Sequence, residues 1–152
     1  MSRPTAGSVG RAERICHERG VRLTPQRRRV FEILCAAARP MGAYEILEQM
    51  AGTTAGAKPP TVYRALEFLQ RQGLVHRLES INAFVGCVHP DHPHAGQFLI
   101  CRDCGLVQEM EDEAVERLLG RAVEASGFEA DSRVIEVTGR CAHCLELVPD
   151  GT

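Results

Sequence analysis

The chain has 152 residues, 44% hydrophobic and 25% charged, a composition typical of a soluble globular protein with one ordinary domain or two small ones. No run is apolar and long enough to span a bilayer, and the opening MSRPTAGSVG lacks the apolar stretch of a secretory signal, so a short disordered tail over residues 1–10 and a cytoplasmic location are expected. The formal charge of −2 hides an asymmetry: residues 1–80 hold 13 Lys and Arg against 7 Asp and Glu, a balance of +6, and residues 81–152 hold 5 against 13, a balance of −8. A basic front half suits a polyanionic partner, and chance clustering of solvated charges is the rival explanation.

In chain order, a first helix is predicted from about Arg11 to Arg19, ended by Gly20. Thr24-Pro25 then opens a second helix, with Thr at the N-cap and Pro at the first helical position. Val30, Phe31, Leu34 and Cys35 give it one apolar stripe, and Pro40 and Gly42 break it. A third short helix, near Ala43 to Met50, buries Ile46, Leu47 and Met50. After the loop AGTTAGAK, the segment PPTVYRALEFLQRQG begins a helix at Pro60 or Thr61 and closes at Gly73. Val62, Ala65, Leu66 and Leu69 share its inner face, while Arg64, Glu67 and Arg71 point away. LVHRL and AFVGCV read as a hairpin. Helices ending in a two-stranded hairpin make a winged helix-turn-helix, whose last helix reads the DNA major groove. A plain helical domain is the rival reading of the same pattern.

The rear half reads β-β-α-β. FLI and LVQEM flank CRDCG, residues 112–126 form an amphipathic helix, and RVIEVT leads to CAHC. Val115, Leu118, Leu119, Ala122 and Val123 make the apolar face of that helix, and acids fill its first turn. The whole is an α+β chain: a winged-helix domain over residues 11–86, a Gly/Pro/His-rich hinge over 87–95, and a small β-β-α-β domain over 96–148, to which the resemblance described next assigns dimerisation.

Seven cysteines are many for a reducing compartment, and the odd count disfavours disulfides. Cys101-x-x-Cys104 and Cys141-x-x-Cys144 carry the most specific signal. Two such pairs complete a tetrahedral four-thiolate zinc site, closed and therefore structural. A redox CxxC motif is the rival, but two pairs are present and the β-α-β order between them does not suit it. Cys16 and Cys35 belong to no pair and read as small buried residues. A second donor set surrounds the hinge: His76, Cys87, His89, His92, His94 and Glu109. One Cys, one Glu and two His make a neutral zinc site, and spacing alone does not choose among the three hinge histidines.

RLTPQRRRVFEIL, KPPTVYRALEFLQRQGLVHRLES, the His-rich hinge, FLICRDCG and CAHC together resemble the ferric-uptake-regulator superfamily, over roughly residues 11–148. The form KPPTVYRALEFL is most similar to its zinc-uptake-regulator branch. The resemblance implies a homodimeric repressor that binds AT-rich inverted-repeat DNA when loaded with zinc, and that is not an enzyme. It implies two Zn²⁺ per monomer, with Cys101, Cys104, Cys141 and Cys144 as structural ligands and His76, Cys87, His94 and Glu109 as regulatory ligands. It places Tyr44 and Arg64 at the DNA, with Thr61 and Tyr63 as phosphate contacts. No membrane and no small-molecule substrate is expected as partner. His89 and His92 are left as spare donors, and His17 and His143 carry no role. A Cys thiolate in the exchangeable site favours zinc over iron. Arg27, Arg28, Arg29 and Arg71 are expected to attract phosphates without reading sequence. The rivals are a sensor of iron or peroxide on the same fold, a zinc hydrolase, and a zinc-stabilised adaptor. Four donors that close the shell weigh against hydrolysis, which needs an open position for water.

Overall fold

The computed structural model describes residues 7–37, 39–51, 58–87, 90–91 and 95–147. The chain divides into two compact units, Met1–Pro93 and His94–Thr152. The first runs α1 (Gly7–Glu18), α2 (Pro25–Ala37), α3 (Ala43–Ala51), α4 (Pro59–Arg71), β1 (Val75–Leu78) and β2 (Ala83–Gly86). The second runs β3 (Gly96–Cys101), β4 (Val107–Met110), α5 (Glu113–Ala125), β5 (Val134–Gly139) and α6 (Ala142–Leu147). Among the described residues, no helix is long and apolar enough to cross a membrane.

Helix α1 starts earlier than Arg11, because Val9 packs against the core and carries the helix back to Gly7. The expected tail is thus corrected: residues 7–10 are helical, and residues 1–6 lie outside the described residues. The helix closes at Gly20, whose φ of 69° only glycine adopts cheaply. There the Val21 N–H reaches the Cys16 carbonyl at 3.0 Å. Helix α2 opens as expected, with the Arg27 N–H donating to Thr24 Oγ1 at 3.4 Å and Pro25 in first position. Helix α4 starts at Pro59, one position before the expected Pro60, since Lys58 keeps an extended backbone and caps it without its side chain. It ends at Gly73, where the Leu74 N–H donates to the Leu69 carbonyl at 2.9 Å.

The core of this unit follows the helical period. Val30, Phe31, Leu34, Cys35, Ile46, Met50, Val62, Ala65, Leu66 and Leu69 are all buried, and Leu47 is partly so. β1 and β2 pair antiparallel, with Val75 opposite Gly86 and Leu78 opposite Ala83. A short 3₁₀ turn, Glu79–Ile81, joins them, and Asn82 completes it in the left-handed region at φ 47°. Met41 exchanges backbone hydrogen bonds with Phe84 at 3.0 and 2.8 Å, tying the α2–α3 connection to the hairpin. Four helices followed by this wing make the winged helix-turn-helix.

In the second unit β3 is central. β4 pairs with it antiparallel and β5 parallel, so the order is β4-β3-β5. Asp112 caps α5 by accepting from the Val115 N–H at 3.0 Å. The short helix α6, over the second CxxC pair, was not expected, because six residues carry too little periodicity to be read. Helix α5 forms as expected. Its apolar stripe is present, but no residue of the helix is buried, and Leu118 is 61% exposed.

Candidate metal centre and nucleic-acid interface

The first CxxC pair lies where β3 ends, and the second where β5 gives way to α6. Because β3 and β5 run parallel in register, with Cys101 opposite Gly139, their C-terminal ends bring the two knuckles together. Cys101 Sγ stands 3.8 Å from Cys144 Sγ, and Cys104 Sγ stands 3.7 Å from Cys141 Sγ. All four sulfurs lie within 4.8 Å of one another. Two thiolates on one zinc ion, each about 2.3 Å from it at tetrahedral angles, stand about 3.8 Å apart. The donor set therefore fits a four-thiolate zinc site. A redox pair would need only its own two sulfurs, whereas here all four converge, and no cysteine forms a disulfide.

The electrostatics agree. Backbone N–H groups of Cys104 and then Cys141 point at Cys101 Sγ and hold its thiol down to about 6. Cys144 is pushed up to about 12 by its hydrogen-bonded neighbour Cys141 and by burial. Four crowded thiols cannot all ionise by themselves. A dication at their centre removes that restraint, so binding releases protons.

The residues expected at the DNA belong to the first unit. Tyr44 on α3 is 68% exposed, and Tyr63 on α4 is 48% exposed. Arg64 is exposed beside Tyr63, and Thr61 is half-buried. Arg64 and Lys58 have no ion pair among the described residues, so both charges face outward uncompensated. Lys58 was missed because the sequence marked it only as the residue before two prolines.

The four arginines expected to attract phosphate are mostly engaged within the unit. Arg28 pairs with Glu13 and, at 3.0 Å, with Glu32. Arg29 reaches Glu32 at 3.6 Å, and Arg71 reaches Glu67 at 2.8 Å. Arg27 lies over the Phe68 ring, 3.8 Å from its centroid, and donates to the Arg22 carbonyl at 2.7 Å. Arg28 and Arg27 thereby tie α2 to α1 and to α4, while Arg29 and Arg71 pair within their own helices.

The expected regulatory donors divide between the units. His76 sits on β1 opposite Val85, and Cys87 follows β2 with its N–H bonded to the Leu74 carbonyl at 2.8 Å. Strand alternation puts His76 and Cys87 on one face of the wing. His76 is half-buried and Cys87 buried. Glu109 is half-buried on β4, opposite Phe98. His94, like His89 and His92, lies outside the described residues. Among the described residues, the four cysteines are the one group of three or more donors close enough to share an ion.

The ferric uptake regulator family profile matches residues 18–138. The zinc uptake regulation protein of Escherichia coli (strain K12) is 42% identical over 140 residues, covering 91% of this chain and 82% of the relative. A solved structure of a zinc uptake regulator complexed with zinc and DNA superposes with a TM-score of 0.80 at 42% identity, covering 91% of this chain and 93% of that one. Holo XcZur superposes with a TM-score of 0.79 at 44% identity, covering 92% and 98%. The chain belongs to the ferric uptake regulator family.

Proposed function

We propose that this chain is a zinc-responsive transcriptional repressor, active as a zinc-loaded homodimer on an AT-rich inverted-repeat operator of zinc-uptake genes. The observation that carries the reading is the likeness, over 91% of the chain, to a regulator solved with zinc and DNA. The outward Tyr44, Tyr63 and Arg64 support it, because an exposed helix face whose arginine has no ion pair among the described residues suits base and phosphate contacts. Thr61, in the first turn of α4, is assigned a phosphate contact. The location is cytoplasmic, where DNA and reducing conditions both occur.

Cys101, Cys104, Cys141 and Cys144 hold one structural zinc, which cross-links the ends of β3 and β5 when bound. His76, Cys87, His94 and Glu109 hold a second, exchangeable ion, making two per monomer. Occupancy of this exchangeable ion links zinc level to DNA affinity. Shifting such an equilibrium from mostly inactive to mostly active takes about 5 kcal/mol of differential binding. Dimerisation covers the open apolar stripe of α5, and a two-fold axis matches an inverted repeat. No enzymatic role is assigned, since a closed thiolate shell leaves no position for a reacting water.

The test joins metal content to DNA binding. Zinc per monomer is measured before and after mild chelation, with a gel shift on an AT-rich inverted repeat. The expected result is a fall from two zinc ions to one, with DNA binding lost and then restored by added zinc. One zinc throughout, with DNA binding indifferent to chelation, would sink the sensor reading. Full zinc-dependent binding by Cys87→Ser would sink the regulatory ligand set.

A further inference from the structure

Arg140 stands immediately before the second knuckle and reaches both. Its Nε donates to Asp103 Oδ2 at 2.7 Å, and its second terminal nitrogen donates to the Cys144 carbonyl at 3.0 Å. Asp103 lies between Cys101 and Cys104, and its own backbone N–H is among those directed at Cys101 Sγ. The guanidinium is therefore tied to the first knuckle through Asp103 and to the second through Cys144. It is well shielded, its side chain being only 20% exposed. Besides the sulfur contacts, backbone N–H groups also tie the knuckles. The Arg102 N–H donates to the Gly139 carbonyl at 2.9 Å, and the Cys141 N–H donates to Cys101 Sγ at 3.3 Å. Arg102 also nears Asp103, but at 4.0 Å and largely exposed.

We propose that Arg140 is a positioning residue for the four-cysteine site, its guanidinium fork bridging the two knuckles and setting how slowly the structural ion leaves. Two physical effects support this. The bridge holds the sulfurs near their binding positions, so a thiolate that lets go of the ion stays close enough to return. In addition, four thiolates around a dication leave a net charge of about −2, which a shielded cation beside the site offsets. Arginine suits the task because its planar fork serves two acceptors at once, whereas lysine carries the charge on a single point. Partners one step outside the ligands commonly change metal affinity by about 10–100-fold. The proposal rests on the four cysteines holding zinc.

The experiment follows zinc release from the full-length zinc-loaded protein in excess chelator, using a colorimetric zinc indicator and thiol alkylation as separate readouts. Circular dichroism before the challenge confirms folding. Arg140→Leu and Asp103→Asn are each expected to speed loss of the tight ion, Arg140→Leu by about 10–100-fold. The double variant should be no faster than Arg140→Leu, because both remove the same bridge. Arg140→Lys should fall between wild type and Arg140→Leu, and it decides the matter if Arg140→Leu does not fold. Release within twofold of wild type for Arg140→Leu overturns the proposal. So does wild-type release for Arg140→Lys, which would leave charge alone as the cause. A wild-type protein without tight zinc overturns the four-cysteine reading and this proposal together, whereas the other outcomes leave that reading intact.

Discussion

The two units are held together by different means. In the first, Val30, Met41, Ile46, Met50, Val62, Leu69 and Leu74 are completely shielded, and four helices and a hairpin close around them. In the second, Phe98 and Ile100 are the large buried apolar residues, α5 buries none of its own, and Cys101 and Cys144 are among the best-shielded side chains. Buried apolar surface stabilises a fold by about 25 cal/mol per Å². The first unit has that surface within one chain. The second has little, and on the proposed reading a metal cross-link and a second copy supply the rest. On that reading the first unit stays folded by itself while the second responds to metal and concentration.

The largest expected effect breaks this contrast from the metal side. Cys101→Ser, or removal of the tight ion by strong chelation under denaturant-free conditions, should unfold the second unit and leave the first intact. Structural zinc binding contributes apparent free energies on the order of 10 kcal/mol in small domains. Amide exchange resolved along the chain checks this, with protection expected to vanish in β3–β5 and persist in α2 and α4. Equal loss in both units would show that they do not fold independently.

A second pair of substitutions sharpens the contrast through the apolar residues. Leu69→Ala should destabilise the first unit by about 2–5 kcal/mol, because it empties a fully buried position. Leu118→Ala should barely alter the folding of a dilute monomer, since Leu118 is 61% exposed. It should instead raise the dimer dissociation constant, read by sedimentation over a concentration series. An unchanged dissociation constant would remove α5 from the dimer interface.

At the DNA, Arg64→Ala should cost about 1–3 kcal/mol on the operator and less on random duplex, by fluorescence anisotropy at fixed salt. Equal losses on both would reduce Arg64 to a phosphate contact. Arg71→Ala should cost less, because Glu67 already neutralises that cation.

The smallest effect concerns the start of α3. Arg39 reaches Glu45 at 2.7 Å and holds its carboxyl below the ordinary value of 4.5. A lowered folded value means the pair's contribution is complete above 4.5 and is lost as pH falls through the lower value. Both groups are exposed, so Glu45→Gln should shift acid stability only slightly and leave the midpoint at pH 7 almost unchanged. A marked destabilisation at pH 7 would show that the pair braces Tyr44 more than its exposure suggests.

Much of the molecule could be read from local pattern. The Thr24-Pro25 start, the Gly20 and Gly73 stops and the stripes of α2 and α4 are short-range, so a linear reading reaches them. The α4 start at Pro59 and the extra helix α6 show the margin of that reading, because a cap without a side-chain bond leaves no residue signature and six residues carry too little periodicity. Of the site, the four cysteines were legible because CxxC spacing itself brings two sulfurs to one point. Lys58 and Arg140 were not, because a charge looks the same in sequence whether it is paired, exposed or bridging.

By itself, then, the sequence determined the two-unit order, the apolar stripe of each helix and the ligand pairs, all set by periods of a few residues. Only the tertiary structure decided which stripe stays open, which arginines are neutralised and how two knuckles about forty residues apart converge. Those outcomes depend on contacts between segments distant along the chain: the parallel pairing of β3 with β5 sets the sulfur spacing, and the packing of α1, α2 and α4 sets the ion pairs.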